Sequence, residues 1–218
     1  MKQTTEGYVS IVGDSYLIPI SDLSEKLFSH ASLFQNEVQA SPLENGYSVS
    51  LCILTIAWFE SYIMRVRYLN RASQQANIKK PPIPFLKALY PDLPFYDKLM
   101  EIFVLRDTLV HNHLWMIQLS WDEKAGMKLH GAEKAAFCGD KKYEKYVDFK
   151  TRKTKKLGLN VVPTRVCNTD YKVVLRTVWK GLLFIQEKDP GHFGITNLHI
   201  KVNGQLISMQ KYIDQICK

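Results

Sequence analysis

The stretch FYDKLMEIFVLRDTLVHNHLW, Phe95 to Trp115, decides how the chain is read. Its apolar residues Leu99, Ile102, Phe103, Leu109 and Val110 recur at three and four, the spacing of one helix face at about 100° per residue. Arg106 falls on that face, and so does His113, seven residues further on. His111 follows Arg106 by five residues, roughly 140° round an ideal helix, where a bend in the last turn brings both onto one ligand. A helix expected from about Phe95 to Leu119 thus carries a guanidinium among its apolar side chains and imidazoles near its end.

Upstream, Tyr47 to about Ser73 shows the same periodicity and predicts a second long helix. Glu60 sits there among Ile53, Ile56, Ala57, Ile63 and Met64. Two apolar faces therefore each carry one charge, of opposite sign. An unpaired buried charge is costly, so Glu60 and Arg106 are expected to meet as a hydrogen-bonded pair. Such a pair serves as a lock on helix register, or it orients the guanidinium for a ligand. A guanidinium holds phosphate oxygens as a fixed fork and an imidazole exchanges protons near neutral pH, a combination suited to phosphodiester chemistry.

Tyr8 to Ile20 alternates and predicts a strand or extended arm; Ser21 or Asp22 then caps a helix to about Ala40. Lys79 to Pro94 holds five prolines and reads as a rigid connector with one short helical turn. Gly126 to Val166 is expected to be irregular and charged, with short strands at Met127–His130 and Tyr146–Lys150. Asn168 or Thr169 is expected to cap a further helix with the stripe Tyr171, Val174, Leu175, Val178, Leu182 and Ile185. LHIKVNGQLISM, Leu198 to Met209, predicts a hairpin turning at Asn203-Gly204, with a last helix from Leu206 as the alternative. The fold class is mainly α, an up-and-down helical bundle with a small irregular or β insertion and a C-terminal hairpin, over one domain of residues 1–218.

Composition agrees with a folded chain: 218 residues, 46% hydrophobic and 11% aromatic, bury a sizeable core. The formal charge of +8 favours polyanionic partners. Cys52, Cys138, Cys167 and Cys217 are far apart without a CxxC pair, which suggests neither zinc site nor disulfide framework. No metal or cofactor is expected. No secretory signal or run of 18 apolar residues is evident, and a soluble, cytoplasmic protein without a membrane partner is expected.

RDTLVHNH, Arg106 to His113, resembles the signature of the HEPN domain (higher eukaryotes and prokaryotes nucleotide-binding), and AWFESYIMRVRYL, Ala57 to Leu69, is similar to that family's earlier, glutamate-bearing helix. The similarity covers roughly residues 22–187. It implies metal-independent RNA cleavage: a ribose 2′-hydroxyl attacks the adjacent phosphate and expels the 5′-oxygen, leaving a 2′,3′-cyclic phosphate and a 5′-hydroxyl. His111 would then move a proton, Arg106 would stabilise charge on the phosphoryl group, Glu60 would orient Arg106, and Asp107 and Asn112 would support the site. His113 also satisfies the family's spacing; His111 has its commoner form. The position two beyond His111 is a histidine, which departs from the branch that carries a modified tyrosine there. The resemblance also implies a homodimer, a toxin or antiviral role, and an antitoxin or sensor partner.

KKYEKYVDFKTRKTKK, Lys141 to Lys156, sets eight basic residues against two acids. Lys141, Lys142, Lys145, Arg152, Lys153, Lys155 and Lys156, with Arg65 at the end of the second helix, are candidates to track an RNA backbone while Tyr143, Tyr146 or Phe149 stacks on a base; a solvated charged loop is the alternative. Arg67 and Arg71 could extend this surface or favour a helix C-terminus. Trp58, Trp115, Trp121 and Trp179 are expected in the core or at an interface. His30, His130, His192 and His199 have no ligand spacing.

Overall fold

A computed structural model describes residues 12–30, 40–110, 115–123, 126–134 and 141–217. It is mainly helical, as expected. A 3-10 turn, Val12–Tyr16, leads into α1, Leu17–His30; α2 follows, Pro42–Leu69, then α3, Pro82–Leu89, and α4, Tyr96–Val110. A two-stranded ribbon of β1, Trp115–Asp122, and β2, Gly126–Lys134, precedes α5, Lys141–Tyr146, and the paired strands β3, Val147–Asp148, and β4, Lys153–Thr154. The chain then enters α6, Asn168–Lys188, the hairpin β5, His199–Val202, and β6, Gln205–Ser208, and finally α7, Met209–Ile216.

The second helix starts where its sequence allows. Ser41 accepts the Glu44 N–H through its hydroxyl, Pro42 occupies the first turn, where a missing N–H costs nothing, and the helix runs to Leu69. It packs against α1, α4 and α6. By length and apolarity α2 could cross a membrane, yet half of its most apolar window is covered by the protein itself. Close packing on α6 depends on Gly181, whose absent Cβ would come within 2.7 Å of the Phe59 ring.

The stripe expected on α6 is fully buried from Tyr171 to Ile185. Its cap differs from expectation: Cys167 is the N-cap, with Asp170 accepting the Cys167 N–H at 2.9 Å. The Asn168 amide is committed elsewhere, donating to the buried Glu44 carboxylate at 2.7 Å. The hairpin forms with Asn203 and Gly204 both at positive φ, the pair of angles a two-residue type I′ turn requires, and α7 follows it. The hairpin is therefore the ending the chain adopts at Leu206, and the last helix begins only at Met209.

Several expectations are overturned. Residues 12–20 are helical and not an extended arm, because Leu17, Ile20, Ser24 and Leu27 bury one face at helical spacing, with Pro19 tolerated in the first turn. The proline-rich connector holds an eight-residue helix whose Pro82 and Pro84 likewise lie in its first turn. The helix expected to reach Leu119 does not do so: α4 is described to Val110, and β1 begins at Trp115. Apolar residues there switch to a period of two at Trp115, Ile117, Leu119 and Trp121, a strand pattern. Within 126–166 both expected strands are present, β2 covering Met127–His130 and β3 lying inside Tyr146–Lys150, while α5 and β4 are additional to the expectation. Trp58 and Trp179 are core residues, whereas Trp121 is 74% exposed.

Candidate functional site

The expected meeting of Glu60 and Arg106 occurs where α2 and α4 pack. Arg106 Nη1 donates to Glu60 Oε2 at 2.6 Å. Its Nε and Nη2 both donate to Asp107 Oδ1, at 3.0 and 2.8 Å. The guanidinium also lies over the Phe103 ring, 4.8 Å from its centroid. The guanidinium is thus fixed on three sides by groups from its own helix and from α2.

The pair sits at the margin of the core and not inside it. Leu99, Ile102 and Phe103 are buried, but Val110 and, on α2, Met64 are exposed, so both apolar faces surface at this point. The side chains of Arg106 and Glu60 keep 21% and 33% of their exposure, enough for a ligand to reach them.

A further cation completes the cluster. Lys142 Nζ donates to Asp107 Oδ2 at 2.7 Å and lies 6.0 Å from the Phe103 centroid. Expected on the basic surface, Lys142 is instead brought to Asp107. The cause is α5: Tyr143 and Tyr146 are buried three residues apart, docking that helix on α4 and turning Lys142 toward Asp107. Burial works to raise the Asp107 pKa, but the hydrogen bonds from Lys142 and Arg106 prevail and hold it below the ordinary carboxylate value. For Arg106, desolvation favours the neutral form, and the Asp107 and Glu60 carboxylates outweigh it, raising its pKa further. At neutral pH Arg106 is a cation with the Asp107 anion beside it.

His111, Asn112 and His113 follow Val110 directly in sequence and lie outside the described residues. The remaining basic candidates are dispersed. Lys141, Lys145 and Lys153 are exposed, and Lys145 lies 5.0 Å from the Tyr146 centroid. Lys155 Nζ donates to the carbonyls of Glu144 and Lys145, and Lys156 is paired with Asp97. Arg152, at positive φ, lies over Phe149. Of the interleaved aromatics expected to stack on bases, Tyr143 and Tyr146 are unavailable because they anchor α5; Phe149 is exposed. Arg65, Arg67 and Arg71 lie over Phe193, Phe85 and Tyr68 respectively, so local packing uses all three.

Sequence reasoning also missed Glu101. It is fully buried on α4 and accepts the backbone N–H groups of Lys156 and Leu157 at 2.8 and 2.7 Å. It ties the basic segment to the helix that carries Arg106. Among the described residues, no cluster of three or more His, Cys, Asp or Glu side chains is arranged to hold a metal ion. Compared with protein-family models, curated proteins and solved structures, the chain matches none.

Proposed function

We propose that the chain is a HEPN-like endoribonuclease that cleaves RNA without a metal, by 2′-hydroxyl attack, with Arg106 as the phosphate-binding cation. The observation that carries the reading is a fixed yet accessible guanidinium four residues before the end of α4, whose next residue in sequence is His111. Glu60 and Asp107 hold Arg106 in one orientation, so little rotamer freedom remains to be lost when a phosphate oxygen arrives. In this reading His111, or His113 in its stead, takes the 2′-proton or supplies one to the leaving 5′-oxygen. Asn112 assists, and Lys142 adds positive potential beside the phosphate. A HEPN-like homodimer, a cytoplasmic defence or toxin role, and control by a partner protein belong to the same proposal.

A second reading has its own observation. Two carboxylates already engage all three nitrogens of Arg106, the arrangement expected of a lock between α2 and α4. A protein built this way would bind RNA or a partner elsewhere and cut nothing.

The test is incubation of end-labelled cellular RNA with purified wild-type and His111→Ala protein in EDTA, with the product ends mapped. Cleavage by the wild type alone, leaving cyclic phosphate ends, supports the ribonuclease reading. Equal cleavage by both proteins removes His111 from the reaction; absence of cleavage by either favours the lock.

A further inference from the structure

A second group of cations lies away from Arg106, where the N-terminal half of α4 meets the middle of α6. Lys98 on α4, Lys156 from the segment tied down by Glu101, and Arg176 and Lys180 on α6 line a cleft of about 290 Å³. Phe95, Leu157, Val173 and Thr177 complete it, and no carboxylate is among its lining residues. Two of the cations have partners outside the lining: Lys156 is paired with Asp97, and Arg176 donates to the Cys217 carbonyl. Lys98 and Lys180 are exposed, and neither has an acidic partner among the described residues.

This arrangement opposes folding in a small way. Arg176 and Lys180 are four apart on one helix face, a like-charge spacing that is destabilising. Gathering Lys98 and Lys156 around the same hollow adds to that repulsion. An anion seated between them would relieve it. The cleft is near the lower limit of small-ligand pockets, too small for a nucleic-acid duplex and adequate for a short phosphate chain. A neighbouring cleft of about 550 Å³ shares Arg176 and Lys180 but is lined by Trp179, Leu183 and Ile213, and it contains Asp214. Anionic groups are therefore favoured on the Lys98 side.

We infer that the cleft between α4 and α6 is a binding site for a small oligophosphate anion, with Lys98 and Lys180 as its principal ligands and Arg176 and Lys156 as supporting cations. The site is separate from the Arg106 cluster and does not depend on the ribonuclease reading.

Titration calorimetry with inorganic tripolyphosphate at low salt tests the inference on two proteins: wild type and the Lys98→Ala/Lys180→Ala double variant. Both lysines are exposed, so the double variant should fold as the wild type does, which circular dichroism checks. The expected result is saturable binding to the wild type and a loss of about tenfold in affinity for each of the two lysines removed. A folded wild type that takes up no tripolyphosphate overturns the inference. Binding that survives undiminished in the double variant also overturns it, by assigning the anion to another part of the molecule. Binding of a single-stranded oligonucleotide without tripolyphosphate would replace a small-anion site with a nucleic-acid track. Binding at any of these affinities leaves RNA cleavage as a separate measurement.

Discussion

Helix α4 serves two groups of cations that are built on opposite principles. Near its end, Arg106 and Lys142 are each matched to a carboxylate at hydrogen-bond distance, in a layer where α2, α4 and α5 meet. Near its start, Lys98 faces Lys180 and Arg176 across a cleft with no carboxylate in its lining. In the first group the protein supplies the counter-charge, so position is fixed and a ligand must compete for the guanidinium. In the second only Lys156 is matched, to Asp97 outside the lining, so an anion arriving between Lys98 and Lys180 meets no carboxylate of the cleft to displace. A fixed cation suits stabilisation of charge that develops during a reaction; unpaired cations suit capture of a charge that is already present.

The largest expected effect separates reaction from lock at Arg106. If the ribonuclease reading holds, Arg106→Ala lowers the cleavage rate by about 10²- to 10³-fold, the range seen when one donor to a developing oxyanion is removed. Single-turnover cleavage of a labelled RNA measures it. An unchanged rate would assign the guanidinium to structure alone.

The same substitution should destabilise the fold, because Glu60 and Asp107 lose the cation that compensates their partial burial. Fully buried pairs broken in this way cost about 3–5 kcal/mol. With Glu60 one-third exposed, a loss of about 1–3 kcal/mol is expected here. Urea unfolding of Arg106→Ala beside Glu60→Gln measures the loss, and no shift in the midpoint would mean the pair contributes nothing net. A stability loss with unchanged cleavage defines the lock; a rate loss well beyond the fraction unfolded defines the site.

Acid sharpens the contrast further. The folded Asp107 pKa is depressed, so its contribution to stability is fully present above the unfolded value, about 3.9 for an aspartate, and fades as pH falls through the lower folded value. Asp107→Asn removes that titration. Wild type should therefore lose more stability between pH 5 and the most acid condition at which it still unfolds cooperatively than the variant does. Parallel denaturation midpoints across that range would contradict the depressed value.

How much of this was legible in the sequence depends on what each residue needed to find its place. Glu60 and Arg106 could be paired because each interrupts a long apolar stripe, and two such helices have to pack face to face. The α6 stripe and the Asn203-Gly204 turn were legible because periodicity and turn chemistry are local. Lys142 was not, since its approach to Asp107 depends on a six-residue helix whose burial of Tyr143 and Tyr146 is a tertiary event. Glu101 was hidden for a related reason: its partners are backbone N–H groups of residues 156 and 157, which no side-chain motif announces. The strand after α4 was hidden because apolar residues resume at Leu114 and Trp115, and only their change of period marks it as a strand. Lys98 and Lys180 are unremarkable in sequence; packing of α4 on α6 brings them to one cleft.

The smallest effect is the most direct test of the contrast between the two groups. Removing a compensated cation should destabilise, whereas removing an uncompensated one should not. Lys180→Ala deletes a like-charge partner of Arg176 four residues away and installs the best helix-forming residue at an exposed position of α6. Like-charge pairs at this spacing are worth about 0.2–0.5 kcal/mol, and propensity adds in the same direction. Its melting temperature without added anions should accordingly equal or slightly exceed that of the wild type. Raising salt should narrow the difference, since screening weakens the repulsion that the substitution removes. A clear drop in stability at low salt would show that Lys180 has a compensating partner after all, and the two groups of cations would then be built alike.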